Sequence, residues 1–249
     1  MNNLGAKWGE FQLALALLTR LPTGRFPEKV PETGEAAWAF PIVGLIVGLC
    51  TGLMFVVASA ALPPLVAALL AIASGIVLTG AIHEDGLADT ADGFGGGQAT
   101  EKKLEIMRDS RIGSYGVVAL ILTLSLIAAA MAAASPNIQT LALFAAIGAS
   151  SRTAMLIPMT FLTPARTDGL GYAATSQPTA SLWSAIGIAT LAAFLTAPLL
   201  IITTLVSAIA VSALAQKQIG GQTGDVLGAT QKITECTCWL TAAAVFATG

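Results

Sequence analysis

The chain has 249 residues, 55% of them hydrophobic and only 10% charged, where an ordinary soluble domain carries about 25% charged residues. With a mean hydropathy of +0.78, this argues against a soluble enzyme and makes the lipid bilayer the solvent and partner of the whole chain. A formal net charge of -2 leaves no general basic surface, so no nucleic-acid partner is expected and any anionic ligand must be met by local Arg and Lys residues.

At the start, Met1-Asn2-Asn3-Leu4-Gly5-Ala6-Lys7-Trp8-Gly9-Glu10 has no basic n-region leading into an uninterrupted apolar stretch, and no signal peptide is expected. Trp8 to Leu21 places apolar residues at helical spacing between Lys7 and Arg20, which predicts a helix lying in the membrane interface. A spanning helix needs about 20 mostly apolar residues. Such stretches lie at 37–62, 65–82, 114–134 and 138–161. The run 181–215 is too long for one ordinary span, and Pro198 near its middle predicts a hairpin of two short helices. A last span is expected over 226–247. The expectation is therefore an all-α, polytopic transmembrane helical bundle forming a single membrane domain over 1–249, with about seven spans plus the N-terminal interfacial helix.

Eleven of the twelve Lys and Arg residues fall on one side of this arrangement, and Arg152 sits inside the fourth span. Lys7, Arg20, Arg25 and Lys29 precede the first span; Lys102, Lys103, Arg108 and Arg111 follow the second; Arg166 follows the fourth; Lys217 and Lys232 follow the sixth. The opposite connections, near Pro63-Pro64, Ser135-Pro136-Asn137 and Ala197-Pro198, contain no charge. By the positive-inside rule the charged side is cytoplasmic. Cys50, Cys236 and Cys238 lie in apolar stretches without a second Cys or His cluster, so they are read as packing residues rather than zinc ligands.

The most informative passage directly follows the second span: Ile82-His83-Glu84-Asp85-Gly86-Leu87-Ala88-Asp89-Thr90-Ala91-Asp92-Gly93-Phe94-Gly95-Gly96-Gly97. Asp85, Asp89 and Asp92 are spaced i, i+4, i+7, which puts them on one face of a helix. Like charges so placed repel one another and require a positive partner. A solvated acidic loop would show mixed charges without a period, whereas these are three copies of one acid on one face. A hard divalent cation such as Mg²⁺, commonly held by one or two carboxylates together with substrate phosphates, is the economical partner. Gly86 and Gly93 allow close backbone approach, and Gly95-Gly96-Gly97 should end the helix. The turn lacks the Gly-Lys-Ser or Gly-Lys-Thr ending of a P-loop.

Downstream, Met107-Arg108-Asp109-Ser110-Arg111-Ile112-Gly113-Ser114-Tyr115-Gly116 brings two guanidinium groups and two serine hydroxyls to the mouth of the third span. Arg108 and Arg111 suit bidentate phosphate binding and equally suit membrane anchoring; both readings stand. Asp109 is a candidate metal ligand or a partner that orients an Arg. Gly220-Gly221-Gln222-Thr223-Gly224-Asp225 allows a close turn that brings Asp225 to the same compartment, or is a plain connecting loop. Arg152 lies within an apolar span, where an ionisable residue marks a paired or functional interior site, and an acid or a ligand phosphate is its expected partner. His83, the single histidine, is either an interfacial residue or a proton-transfer or supporting group beside Asp85.

The pattern His83, Asp85-Gly86-Leu87-Ala88-Asp89 and Asp92-Gly93, followed by Met107 to Gly116 and Gly224-Asp225, resembles the cobalamin synthase family, adenosylcobinamide-GDP ribazoletransferase. Leu18-Thr19-Arg20-Leu21-Pro22, Phe40-Pro41-Ile42-Val43-Gly44 and Ser151-Arg152 extend the likeness over most polar segments. Glu84 departs from it, standing where the family commonly has an apolar residue. The resemblance implies a multi-pass protein of the bacterial cytoplasmic (inner) membrane with its active site facing the cytoplasm. It implies an activity in which α-ribazole or α-ribazole 5′-phosphate attacks adenosylcobinamide-GDP and GMP leaves, with Mg²⁺ as cofactor. In that scheme Asp85, Asp89, Asp92, Asp109 and Asp225 hold or support the metal, Arg108, Arg111 and Arg152 neutralise phosphate oxygens, Ser114 and Gly224 contact substrate, and His83 or an Asp takes the proton of the attacking hydroxyl. Oligomeric state is left open. Two other readings are a CDP-alcohol phosphotransferase, whose Asp-Gly-x-x-Ala-Arg pattern is not matched after Asp85-Gly86, and a divalent cation transporter, which would place its acids within spans.

Overall fold

The computed structural model describes all residues except 1, 2, 168, 170–178 and 249. Their order is α1 (Asn3–Leu18), α2 (Thr33–Ala36), a 3-10 turn (Ala37–Ala39), α3 (Phe40–Ser59), α4 (Pro64–Thr79), α5 (Ile82–Gly96), α6 (Thr100–Ile106), α7 (Ser114–Ala132), α8 (Ile138–Ala154), α9 (Leu156–Phe161), α10 (Thr179–Thr196), α11 (Leu199–Ile219) and α12 (Gly224–Thr248). The β structure among the described residues is one isolated parallel bridge, Pro164 with Gln222. The chain is an all-helical, polytopic membrane protein. By length and composition, five helical segments among the described residues can cross a membrane: Thr33–Ser59, Ser114–Ala132, Ile138–Phe161, Thr179–Thr196 and Leu199–Ile219, with α4 and α5 a sixth if that bent pair is one span. The expected count of about seven would also need α12, whose length of 25 residues is ample but which carries Asp225, Lys232 and Glu235.

Several boundaries differ from the sequence reading for identifiable reasons. Helix α1 starts earlier than Trp8 and stops at Leu18, because Thr19 turns its hydroxyl onto the Leu15 carbonyl (2.7 Å) and Arg20 gives its amide to Leu78 O (2.7 Å). The hairpin around Pro198 forms, but its arms are full-length helices of 18 and 21 residues rather than short ones. The second expected span ends at Thr79; Gly80 (φ 68°) and Ala81 (φ 61°) both adopt the left-handed conformation, and the chain turns through 92° into α5. A left-handed alanine is strained where glycine is not, and Ala81 is the one non-glycine residue with positive φ among those described.

The bundle is built on the α3–α8 pair. A Cβ on Gly44 would lie 2.2 Å from the Gly148 carbonyl oxygen, and one on Gly48 2.3 Å from that of Phe144; small residues at this spacing let two backbones touch, which is how helices pack where lipid supplies no hydrophobic drive. Phe144 then stacks against Phe55 (centroids 5.5 Å apart) and edge-on to Trp239 (4.5 Å), joining α12 to the pair. Outward faces carry exposed Leu53, Val57, Leu122, Leu195 and Ile202, the surface expected in contact with lipid. Cys236 and Cys238 are buried and Cys50 exposed, all as free thiols.

Candidate active site

A cavity of about 390 Å³ opens at the charged end of the bundle, within the size range typical of small-ligand sites. Its wall includes His83, Asp85 and Gly86 of α5, Arg108 from the α6–α7 loop, Arg166 from the segment after α9, and Thr223, Gly224 and Asp225 at the start of α12. Leu17, Leu18, Phe40, Met155 and Met159 form an apolar side of the same space.

Local structure explains the convergence. Thr223 caps α12, its hydroxyl accepting from Val226 N at 3.3 Å, so Asp225 falls in the first turn, where a carboxylate is favoured by the helix dipole. The segment bearing Arg166 is tied to this cap by two backbone hydrogen bonds, Gln222 N to Thr163 O (2.9 Å) and Ala165 N to Gln222 O (2.8 Å). That tie sets Arg166 Nη1 3.4 Å from Asp225 Oδ2, with Nη2 donating to Leu104 O at 3.0 Å. Its Nε is buried without a partner. Helix α5 comes equally close to α12: a Cβ on Gly86 would be 2.8 Å from the Asp225 carbonyl oxygen. Burial pushes the Asp225 carboxyl above its ordinary range, while Arg166 pulls it the other way.

The three aspartates of α5 share a face but not an environment. Asp85 is exposed, Asp89 half-buried and Asp92 buried. Asp92 spends both oxygens on the start of α7, accepting from Gly113 N (2.7 Å) and Gly116 N (2.9 Å). Asp85, Asp92 and Asp225 act on Asp89 as like charges, with Arg166 opposing them. The donor set is all oxygen and short of positive charge, the chemistry a hard cation answers. Among the described residues no three His, Cys, Asp or Glu side chains are gathered closely enough to hold a metal by themselves. The set therefore fits a cation that takes one or two carboxylates and draws its remaining oxygens from a bound phosphate and water.

Of the other expected site residues, His83, Arg108 and Gly224 line the cavity and the rest sit elsewhere. Asp109 and Arg111 pair with each other in the loop before α7, at 2.6 Å between Oδ2 and Nη2, and that guanidinium holds the Asp109 carboxyl down to about 2; neither lines the cavity. Ser114 is exposed in the first turn of α7. Arg152 is buried in α8, where its Nη1 donates to Ser151 Oγ (3.2 Å) and is 3.5 Å from Gly148 O. His83 reaches the cavity wall, but its Nε2 is enclosed without a partner. Arg166, counted from the sequence only as a loop charge, is the site residue that reading missed. Its signal was its position, the lone base after the fourth span on the side that also holds Gly224-Asp225.

Paired carboxylates and guanidinium groups around one cavity at the polar end of a helical membrane bundle define a membrane protein built to handle a phosphate-bearing ligand. Over residues 10–243 the sequence matches the family model described as cobalamin-5-phosphate synthase, and the chain belongs to that family. Relatives named adenosylcobinamide-GDP ribazoletransferase include one from Bradyrhizobium diazoefficiens, 44% identical over 94% of this chain and 93% of the relative. Another from Azorhizobium caulinodans is 46% identical over 82% of each, and one from Shewanella piezotolerans is 36% identical over 92% and 93%. No solved structure matches the chain.

Proposed function

We propose that the chain is an adenosylcobinamide-GDP ribazoletransferase: a hydroxyl of α-ribazole or α-ribazole 5′-phosphate attacks the diphosphate of adenosylcobinamide-GDP, and GMP leaves. The observation that carries this reading is the meeting of Asp85, Arg108, Arg166 and Asp225 around one cavity in a chain of this family. Phosphoryl transfer depends chiefly on positioning and on neutralising charge. Arg108 and Arg166 serve the diphosphate oxygens, Arg166 being held ready by Leu104 O and Asp225. Asp85 and Asp225, the two carboxylates of the cavity wall, would hold Mg²⁺, which when bound supplies charge neutralisation for the diphosphate and the departing GMP. The hydroxyl proton leaves to a cavity carboxylate, since Asp85 is exposed whereas His83 Nε2 is enclosed. Asp92 supports the site by fixing α5 to α7. The charged end, with the cavity, faces the cytoplasm of a bacterial inner membrane, as the one-sided Lys and Arg distribution supports.

Purified protein in detergent, given adenosylcobinamide-GDP, α-ribazole and Mg²⁺, is expected to release GMP in step with formation of the joined product. Folded protein that forms no GMP under these conditions would overturn the assignment.

A further inference from the structure

Behind the cavity wall lies a group of charges that the proposed reaction does not use. Lys232 Nζ of α12 is 2.7 Å from Glu84 Oε1 of α5 and 2.8 Å from Glu235 Oε2, with the Lys232 and Glu84 side chains 9% and 8% exposed. Gln231 Nε2 donates to Glu235 Oε2 at 3.0 Å and to Ser151 Oγ at 3.1 Å, and Arg152 Nη1 donates to the same Ser151 Oγ. Two acids, two bases and the two neutral groups between them thus form one connected chain from α5 through α12 to α8. Ionisable groups at this depth are costly and are found where they do something specific. Stability alone is a poor reason to keep them, because an apolar replacement of a buried pair is often as good, and fixing register is their best-attested use.

Helix α5 leaves α4 through two left-handed residues at 92°, so its rotation on α12 rests on that short joint and on the contacts between the two helices. Glu84 sits between His83 and Asp85, both in the cavity wall, and Lys232 lies seven residues after Asp225, on the same face of α12. The small residues Gly86 and Gly228 bring the two backbones into close contact, a Cβ on Gly228 lying 3.3 Å from Gly86 Cα, so no bulky side chain interlocks the helices at this level. We propose that the Glu84–Lys232 ion pair, backed by Glu235 and Arg152, is a positioning device that sets the rotation of α5 on α12 and so presents Asp85 and Asp225 to one cavity.

The kinetic consequence rests on the transfer reaction proposed above, and the geometric one does not. In the full-length protein, Lys232→Met is expected to lower kcat for GMP release at least tenfold per folded molecule, with KM for α-ribazole within twofold, and Lys232→Arg to recover kcat to within threefold. Should Lys232→Met not fold, the isosteric Glu84→Gln decides, with a fall in kcat of about fivefold expected. The second readout needs no turnover: in a chain lacking Cys50, Cys236 and Cys238, cysteines at positions 85 and 225 are joined by a short bis-methanethiosulfonate reagent, and Lys232→Met or Glu84→Gln should slow that joining at least tenfold. Unchanged cross-linking together with unchanged kcat per folded molecule overturns the proposal. Cross-linking that depends on Lys232 in a protein that never releases GMP upholds the positioning role and overturns the transferase reading instead.

Discussion

At the uncharged end of the bundle, Ser135, Asn137, Thr140, Thr196 and Pro198 help line a cavity of about 540 Å³, while at the other end Asp85, Arg108, Arg166 and Asp225 line one of about 390 Å³. The larger space has polar but uncharged groups, and local structure takes several of them: Asn137 Oδ1 accepts from Thr140 N (2.9 Å) to cap α8, and the Thr140 hydroxyl donates to Ser135 O (2.6 Å). At the charged end two buried nitrogens are left over, His83 Nε2 and Arg166 Nε. Burial and the like charges of Asp85, Asp225 and Asp92 bear together on Asp89. Volume does not distinguish a site from a packing defect; charge of both signs that converges on one cavity does.

That contrast can be broken or sharpened by substitution. The largest effect is expected at Arg166, where replacement by Ala should cut the rate of GMP release by about a hundredfold, in the range seen when one charge-stabilising donor is removed. Arg166→Lys keeps the charge but not the fork, and steady-state kinetics should show it recovering only part of the loss. Next comes Gly86→Ala, whose added Cβ would stand 2.8 Å from the Asp225 carbonyl oxygen; forcing α5 from α12 should cost about 1–3 kcal/mol, read as a lower thermal midpoint together with a fall of roughly tenfold in rate. Asp92→Asn is a smaller change, because the remaining oxygen still accepts one of the two α7 amides. It should lower stability by about 1 kcal/mol, as for a weakened helix cap, and leave the Mg²⁺ concentration for half-maximal rate within twofold; a large rise in that concentration would return Asp92 to the metal. Arg111→Ala should change turnover by less than about twofold, since exposed pairs contribute little.

Much of the bundle was legible because lipid imposes long apolar helices, and Pro198 and Gly95-Gly96-Gly97 marked real ends. The turn at Gly80-Ala81 was not, since nothing in a short apolar run announces a left-handed alanine. Counting charges by side grouped Lys232 with the other bases of the polar end, where it is in fact buried between Glu84 and Glu235; composition counts charges without seeing their partners. The same limit hides the division of labour among Asp85, Asp89 and Asp92. Their spacing shows a shared face, but only the approach of Gly113 and Gly116 turns Asp92 to α7. Arg166 became visible through the bridge from Pro164 to Gln222, a contact between segments far apart in sequence.

The central claim is that the charged end alone carries the chemistry. Its most direct test is GMP release measured side by side in Asp85→Asn and Asn137→Ala, each confirmed as folded. The account predicts loss of about a hundredfold or more for Asp85→Asn and a rate within twofold of the unaltered protein for Asn137→Ala. Full activity in Asp85→Asn, or loss confined to Asn137→Ala, would contradict it.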